Sequence, residues 1–232
     1  MAPAGHGSCS GTGVTTAALV REAPSTLLGG RFLPGRLLRV GQSARILQGK
    51  DVHSGEPVAL KLLRTPCTAR RLQRFRREAE LCARLDHPGL LRALGAGVEG
   101  EQAWIAFELL HDATSLEGGP RFGLRWWVDV IRDAALAVGS AHQKGIVHRD
   151  LRNESILVDG RGKVRVVDFS QAAVGVEPRI DVWSLAAILR EGLVGTAIPF
   201  RLERLLERAL SHDLLDRPPT GLALAGELEA AL

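Results

Sequence analysis

From residue 31 onward the apolar positions fall into short runs whose period changes from strand-like to helical. Leu37–Val40, Ala44–Leu47 and Val58–Leu63 have strand length, and His53-Ser54-Gly55 is a turn signal between the last two. An antiparallel meander is therefore predicted. Over 69–85 the period becomes helical, with Leu72, Phe75, Ala79, Cys82 and Leu85 recurring at three- and four-residue steps. Two more apolar runs, Leu90–Leu94 and Trp104–Phe107, precede a break at Glu117-Gly118-Gly119-Pro120. A second helix is predicted over 124–144, striped by Trp127, Val130, Ile131, Ala134, Val138 and Ala141 and closed by Gly145. A hairpin follows, Ser155–Val158 and Lys163–Phe169, turned at 159–162, and helices over 180–190, 202–210 and 221–231 finish the chain. Strands first and helices afterwards indicate an α+β, two-lobed fold. The lobe boundary falls near Glu108 to Asp112, giving a smaller lobe over 31–108 and a larger one over 109–232.

Composition narrows the class. The 232 residues are 45% hydrophobic and 24% charged, which excludes a disordered or collagen-like chain. Gly, Ala, Thr, Ser and Pro supply 20 of the first 30 residues, so residues 1–30 are expected to be a flexible tail, with a short helix over 15–22 as the one alternative. No basic segment leads into an apolar core at the start, and no apolar run reaches membrane-spanning length; a cytoplasmic protein without a membrane span is expected. Three cysteines, Cys9, Cys67 and Cys82, lack metal-ligand spacing and make a disulfide framework improbable. The net charge is +4, yet residues 64–84 alone carry +5: Arg64, Arg70, Arg71, Arg74, Arg76, Arg77 and Arg84 against Glu78 and Glu80. A solvated helix face and a surface for an acidic or nucleic-acid partner both account for this run. Phe75 is the one aromatic residue among these arginines, which argues against a base-stacking, nucleic-acid-binding surface.

Lysine is scarce, and one of the four sits inside an apolar strand. In Val58-Ala59-Leu60-Lys61-Leu62-Leu63, alternation puts Lys61 on the face of Ala59 and Leu63. A cation there is expensive unless it is paired or meets an anion. Glu78 lies three residues after Phe75 and four before Cys82, so its carboxylate projects along an apolar stripe. An inward Lys61 and Glu78 would satisfy one another; two snorkelling surface side chains are the alternative. Further along, Ile146-Val147-His148-Arg149-Asp150-Leu151 joins a helix to a hairpin whose far strand ends in Asp168-Phe169. Such a hairpin can bring both carboxylates to one end of a sheet. One acid would then accept a hydroxyl proton while the other holds a divalent cation between phosphate oxygens.

Taken in order, these segments resemble the protein kinase superfamily, most closely the bacterial serine/threonine type, from Arg31 to Leu232. The fold this implies has a small antiparallel-sheet lobe with one main helix and a mostly helical second lobe, with ATP and Mg2+ bound between them. VALKLL is similar to the strand of the phosphate-binding lysine, which implies that Lys61 contacts ATP and pairs with Glu78, beneath Ala59. IAFELL is similar to the adenine-holding hinge, implying main-chain contacts at Glu108 and Leu110, with Phe107 as gatekeeper. HRDLRNESIL matches the catalytic loop without gaps; Asp150 would be the base, and Arg152 stands where a lysine usually steadies the transferred phosphate. DFS resembles the magnesium motif, with Asp168 as ligand, and DVWSL the helix whose Asp181 anchors the catalytic loop.

The departures bear on activity. Of the pattern G-x-G-x-x-G the chain keeps only Gly41, with Arg39 and Ala44 at the other glycine positions; Arg39 and Arg45 are candidates to supply charge instead. Ser155 stands at the second metal-ligand position in place of asparagine, and Asn153 is two residues early. Ser170 replaces the glycine of the magnesium motif. Only 13 positions separate Asp168 from Asp181, so no Ala-Pro-Glu-like motif fits there and Arg217 is expected to lack its usual glutamate partner. Three functions follow. The first is a phosphotransferase moving the γ-phosphate of ATP to a Ser/Thr hydroxyl of a protein substrate at reduced rate. The second is a pseudokinase acting as a nucleotide-binding switch or protein scaffold. The third is an arginine-rich binding module, which leaves Asp150 and Asp168 unexplained.

Overall fold

The computed structural model of the chain describes residues 26–117 and 122–232. Five strands form one antiparallel sheet in the order β1-β2-β3-β5-β4: β1 (Phe32–Val40), β2 (Ala44–Asp51), β3 (Pro57–Leu63), β4 (Ala93–Glu99) and β5 (Gln102–Glu108). Between β3 and β4 runs α1 (Ala69–Ala83), whose start is capped by Thr68, the hydroxyl accepting from the Arg71 N–H at 3.3 Å. The second lobe holds α2 (Leu124–Gln143), α3 (Arg179–Gly192), α4 (Phe200–Ala209) and α5 (Gly221–Ala230). Short strands line the inner edge of this lobe. β6 (Thr114–Ser115), β8 (Ile156–Val158) and β9 (Val164–Val166) make a three-stranded sheet, and β7 (Ile146–Val147) pairs with β10 (Ala173–Val174).

The elements follow the hydrophobic pattern with two changes of extent, β1 starting at Phe32 rather than Leu37 and β9 ending at Val166 rather than Phe169, and one change of kind at β4. The apolar run 90–94 predicts a strand there, but the strand begins at Ala93 and continues through Gly95-Ala96-Gly97. Rings from other strands, Trp104 of the adjacent β5 and Phe32 of β1, take the space that side chains would fill. A Cβ on Gly97 would lie 2.9 Å from the Trp104 indole, and one on Gly95 3.2 Å from the Phe32 ring. The strand therefore carries no alternation of its own to be read.

Alternation does work on β3, and it splits the sheet's two faces between two cores. Leu60 and Leu62 join Leu28, Phe32, Leu47, Val58, Trp104 and Ala106 on one side. The other side, through Leu63, Ile105 and Phe107, merges with Phe75 and Cys82 of α1 and with the helices of the second lobe in one continuous core. That shared core fixes the lobes against each other. Leu28, within the segment expected to be tail, is 1% exposed and bridges to Phe32, so the ordered lobe starts before residue 31. Residues 1–25, including the suggested helix over 15–22, lie outside the described residues.

In the second lobe α2 is the central helix. Gly221 is required where α5 starts, since a Cβ would meet the Ala135 carbonyl at 2.4 Å and Gly139 N at 2.7 Å. Among the described residues no helix is long and apolar enough to cross a membrane.

Candidate active site

β3 and α1 together place the first two charged residues. Lys61 pairs across the ladder with Ile105, and Glu78 is buried on α1 between Phe75 and Cys82. The Lys61 Nζ donates to Glu78 Oε1 at 2.6 Å and to Asp168 Oδ1 at 3.0 Å. The reading of Lys61 and Glu78 as surface side chains is thereby excluded: their side chains are 13% and 2% exposed. Burial pushes the Lys61 ammonium down, but the two carboxylates outweigh it and its pKa lies above the ordinary lysine value. Burial raises Glu78, which Lys61 only partly offsets. Burial also works against an ionised Asp168, but the Lys61 contact prevails and holds that carboxyl below its usual value. The neighbouring Cys82 thiol is pushed up to about 12 by burial, with Glu78 adding to the shift, and is an inert packing residue.

The loop of His148, Arg149 and Asp150 is held by one buried carboxylate. Asp181, in the first turn of α3, accepts the N–H of His148 at 2.7 Å, the N–H of Arg149 at 2.8 Å and the ring Nε2 of His142 at 3.0 Å. His142 in turn accepts the Gly221 N–H on Nδ1 at 3.1 Å, which leaves the proton on Nε2. The link runs from the start of α5 through α2 to the loop. Arg149 and Asp168 both have positive φ, 70° and 67°. For non-glycine residues this is a strained conformation that persists only where surrounding contacts determine it; Asp181 does so for Arg149. His148 is buried, its Nε2 donating to the Val167 carbonyl at 2.9 Å and its ring meeting Phe169 edge to face at 4.6 Å. Burial holds its pKa below the ordinary value, so the imidazole is neutral.

Asp150 is half-exposed, and its carboxylate lies 3.6 Å from Arg152 Nε. The acid and the cation expected at the transferred phosphate are thus adjacent and accessible. Ser155 differs from its expected role. It is buried, and its hydroxyl accepts from Arg152 N at 2.7 Å and lies 2.9 Å from the Arg152 carbonyl and 3.4 Å from that of Asp150. These bonds make it a pin for the loop's turn, and the geometry argues against it as a metal ligand. Asn153 donates to Glu191 Oε2 at 3.2 Å, on α3.

A divalent cation fits Asp168. Its carboxylate is ionised and 43% exposed, and a magnesium ion needs few protein oxygens when substrate phosphates supply others. Among the described residues no group of three or more His, Cys, Asp and Glu could hold a metal without them. The hinge also suits a nucleotide. The side chain of Glu108 accepts from Arg92 N at 3.0 Å, fixing the turn out of β5, and the main chain of Leu110 makes no hydrogen bond among the described residues. Ala59 faces Phe107 across the β3–β5 ladder.

The β1–β2 hairpin is closed by Gly41 N–H donating to the Ala44 carbonyl at 2.8 Å. A Cβ at Gly41 would press on that carbonyl at 3.2 Å, which explains why glycine stands at this position of the turn. Arg39 pairs with Ile46 across the same hairpin and is exposed.

Arg217, expected to lack a glutamate partner, is engaged by main-chain carbonyls. Its Nε donates to the Ser211 carbonyl at 2.9 Å and its Nη1 to the Arg179 carbonyl at 3.4 Å, while Glu177 pairs with Arg179 at 3.0 Å. Backbone carbonyls replace the glutamate that the short segment omits. The sequence reading missed His142; a histidine on the buried face of an apolar helix, six residues before His148, was the available signal.

Comparison with known proteins agrees with this geometry. Residues 34–178 match the protein kinase domain family. The serine/threonine-protein kinase PknA of Mycobacterium tuberculosis is 30% identical over 197 residues, covering 80% of this chain and 43% of its own length. PknL of the same species is 29% identical over 235 residues, covering 87% and 58%. CBL-interacting protein kinase 19 of Oryza sativa is 34% identical over 158 residues, covering 64% and 30%. This chain therefore spans between about a third and somewhat over half of the relatives it matches. With Lys61, Glu78 and Asp168 bonded together and Asp150 on the loop that Asp181 holds, the chain belongs to the protein kinase domain family.

Proposed function

We propose that the protein transfers the γ-phosphate of ATP to a Ser/Thr hydroxyl of a protein substrate. The observation that carries this reading is the position of Lys61, bonded at once to Glu78 and to Asp168. Holding these three charged groups together is costly in a resting fold unless they meet a charged ligand. Lys61 would bind the α- and β-phosphates, with Glu78 fixing its Nζ. Leu110 and Glu108 would hold the adenine through their main chains, under Ala59. Asp168 would hold a magnesium ion, which when bound neutralises charge on the phosphate oxygens. Asp150 would accept the proton of the attacking hydroxyl as its oxygen bonds to the γ-phosphorus. The bond from that phosphorus to the bridging oxygen breaks, and ADP leaves with the electron pair. Arg152 would neutralise charge on the group in transit.

A nucleotide-binding switch without transfer is the second reading, and the buried, backbone-bonded Ser155 favours it. Thermal unfolding with ATP, with and without magnesium, followed by a radiolabelled transfer assay, separates the two. A ligand at a hundredfold its Kd adds about 2.7 kcal/mol to stability. A magnesium-dependent rise in midpoint with measurable transfer supports the enzyme. A rise without transfer supports the switch, and no rise excludes both.

A further inference from the structure

The phosphate-covering hairpin has lost two of its three pattern glycines, and one residue outside the pattern holds its tip. Arg64 directly follows β3. Its N–H donates to the Ser43 carbonyl at 2.9 Å, extending the β2–β3 ladder into the turn, and its Nη1 donates to the Gly41 carbonyl at 3.2 Å. With the Gly41 to Ala44 bond, the four residues 41–44 are tied at three points. The N–H groups of Gln42 and Ser43, both exposed, donate to nothing among the described residues. Two backbone donors at a fixed, solvent-facing turn are what an anion requires.

Resting on the nucleotide-binding reading above, we infer that Arg64 is a positioning residue for the triphosphate. Its guanidinium holds the hairpin tip so that the free N–H groups of Gln42 and Ser43 form a ready-made cradle. Glycine loops present such groups through flexibility and must be ordered when the ligand arrives. Here Arg39 and Ala44 narrow the conformations available, and Arg64 fixes the one that remains.

The test compares the affinities of ATP and adenosine for the wild type, Arg64→Met and Arg64→Lys by calorimetry. Methionine keeps much of the aliphatic stem and removes the donor, while the backbone bond to Ser43 survives in every variant. Arg64→Met should bind ATP about tenfold more weakly, the scale of one charged hydrogen bond, with adenosine affinity unchanged. Arg64→Lys, which retains a donor for the Gly41 carbonyl, should recover most of the loss. Equal weakening of both ligands would assign Arg64 a merely structural role and overturn the inference, as would an unchanged ratio. If the wild type binds neither ligand, the nucleotide reading itself fails and this inference falls with it.

Discussion

Asp181 and His142, 39 positions apart in sequence, share a buried hydrogen bond of 3.0 Å, and through it three helices of the larger lobe support the loop that carries Asp150. The carboxylate is fully buried and takes three donors, two of them the main-chain N–H groups of His148 and Arg149. That arrangement lets Arg149 keep its positive φ and so aims the residue after it.

Removing the carboxylate should therefore do more than loosen packing. Asp181→Ala leaves the N–H groups of His148 and Arg149 and the His142 ring unsatisfied, and each unsatisfied group costs about 1–3 kcal/mol. A loss of about 3 kcal/mol, measured as a shift in urea midpoint, is expected. A variant within 0.5 kcal/mol of wild type, the roughly neutral range of surface substitutions, would show that the loop does not depend on this anchor.

The two proposed chemical roles separate cleanly by substitution. Asp150→Asn removes the proton acceptor and keeps the shape, so transfer should be lost while ATP affinity stays within about twofold, since ground-state binding does not use the base. Lys61→Met should instead weaken ATP binding. The fold should survive it, because Glu78, whose pKa already lies above the ordinary value, can take up a proton once its partner is gone. Equal transfer by Asp150→Asn would remove Asp150 from the mechanism, and unchanged ATP affinity in Lys61→Met would remove the lysine from the phosphates.

Stability should fall on the acid side of neutrality because of His148. Burial holds its folded pKa below the ordinary histidine value of about 6.5. Below pH 6.5 the unfolded chain therefore binds a proton that the native state does not, so stability rises with pH across this range and is fully present above it. One such group changes stability by at most about 1.4 kcal/mol per pH unit. His87, lowered by burial and by Arg165, adds in the same direction. Urea midpoints at pH 7.5, 6.5 and 5.5 should fall in that order for the wild type and less steeply for His148→Gln, which keeps a donor for the Val167 carbonyl. Parallel slopes would mean that His148 is not a neutral native group.

How far the sequence could be read depended on whether a residue's role was local. Lys61 and Glu78 betrayed themselves as charges at apolar-period positions, the β1–β3 meander followed from short apolar runs around a turn signal, and the first two helices followed from their period. β4 did not, because its packing is supplied by Trp104 and Phe32 from other strands. Leu28 was absorbed into a low-complexity segment, since one buried leucine leaves no periodicity. Arg64 and the backbone partners of Arg217 were invisible for a different reason. Both act through main-chain carbonyls, which every residue possesses, so no residue pattern announces the contact.

Ser155 and Asp168 occupy the two positions where metal ligands were expected, and the structure gives them different chemistry. Asp168 is ionised and accessible, whereas the Ser155 hydroxyl is buried and bonded to Arg152 on both its donor and acceptor sides. Asp168→Asn should abolish the magnesium dependence of ATP-induced stabilisation; asparagine tolerates a positive φ, so the turn should hold. Ser155→Ala should lower stability by about 1–2 kcal/mol through the unsatisfied Arg152 N–H and leave the magnesium dependence as it is in the wild type. The measurement is the thermal midpoint with saturating ATP across a magnesium titration, for each variant. A shifted magnesium midpoint in Ser155→Ala would make the serine a ligand after all, and its remaining lone pair the place where the ion binds. An unshifted one would leave a single protein carboxylate to hold the ion, and with it a physical reason for transfer at a reduced rate: one fewer oxygen fixing the metal against the phosphates means less pre-organised charge at the moment the γ-phosphoryl group moves.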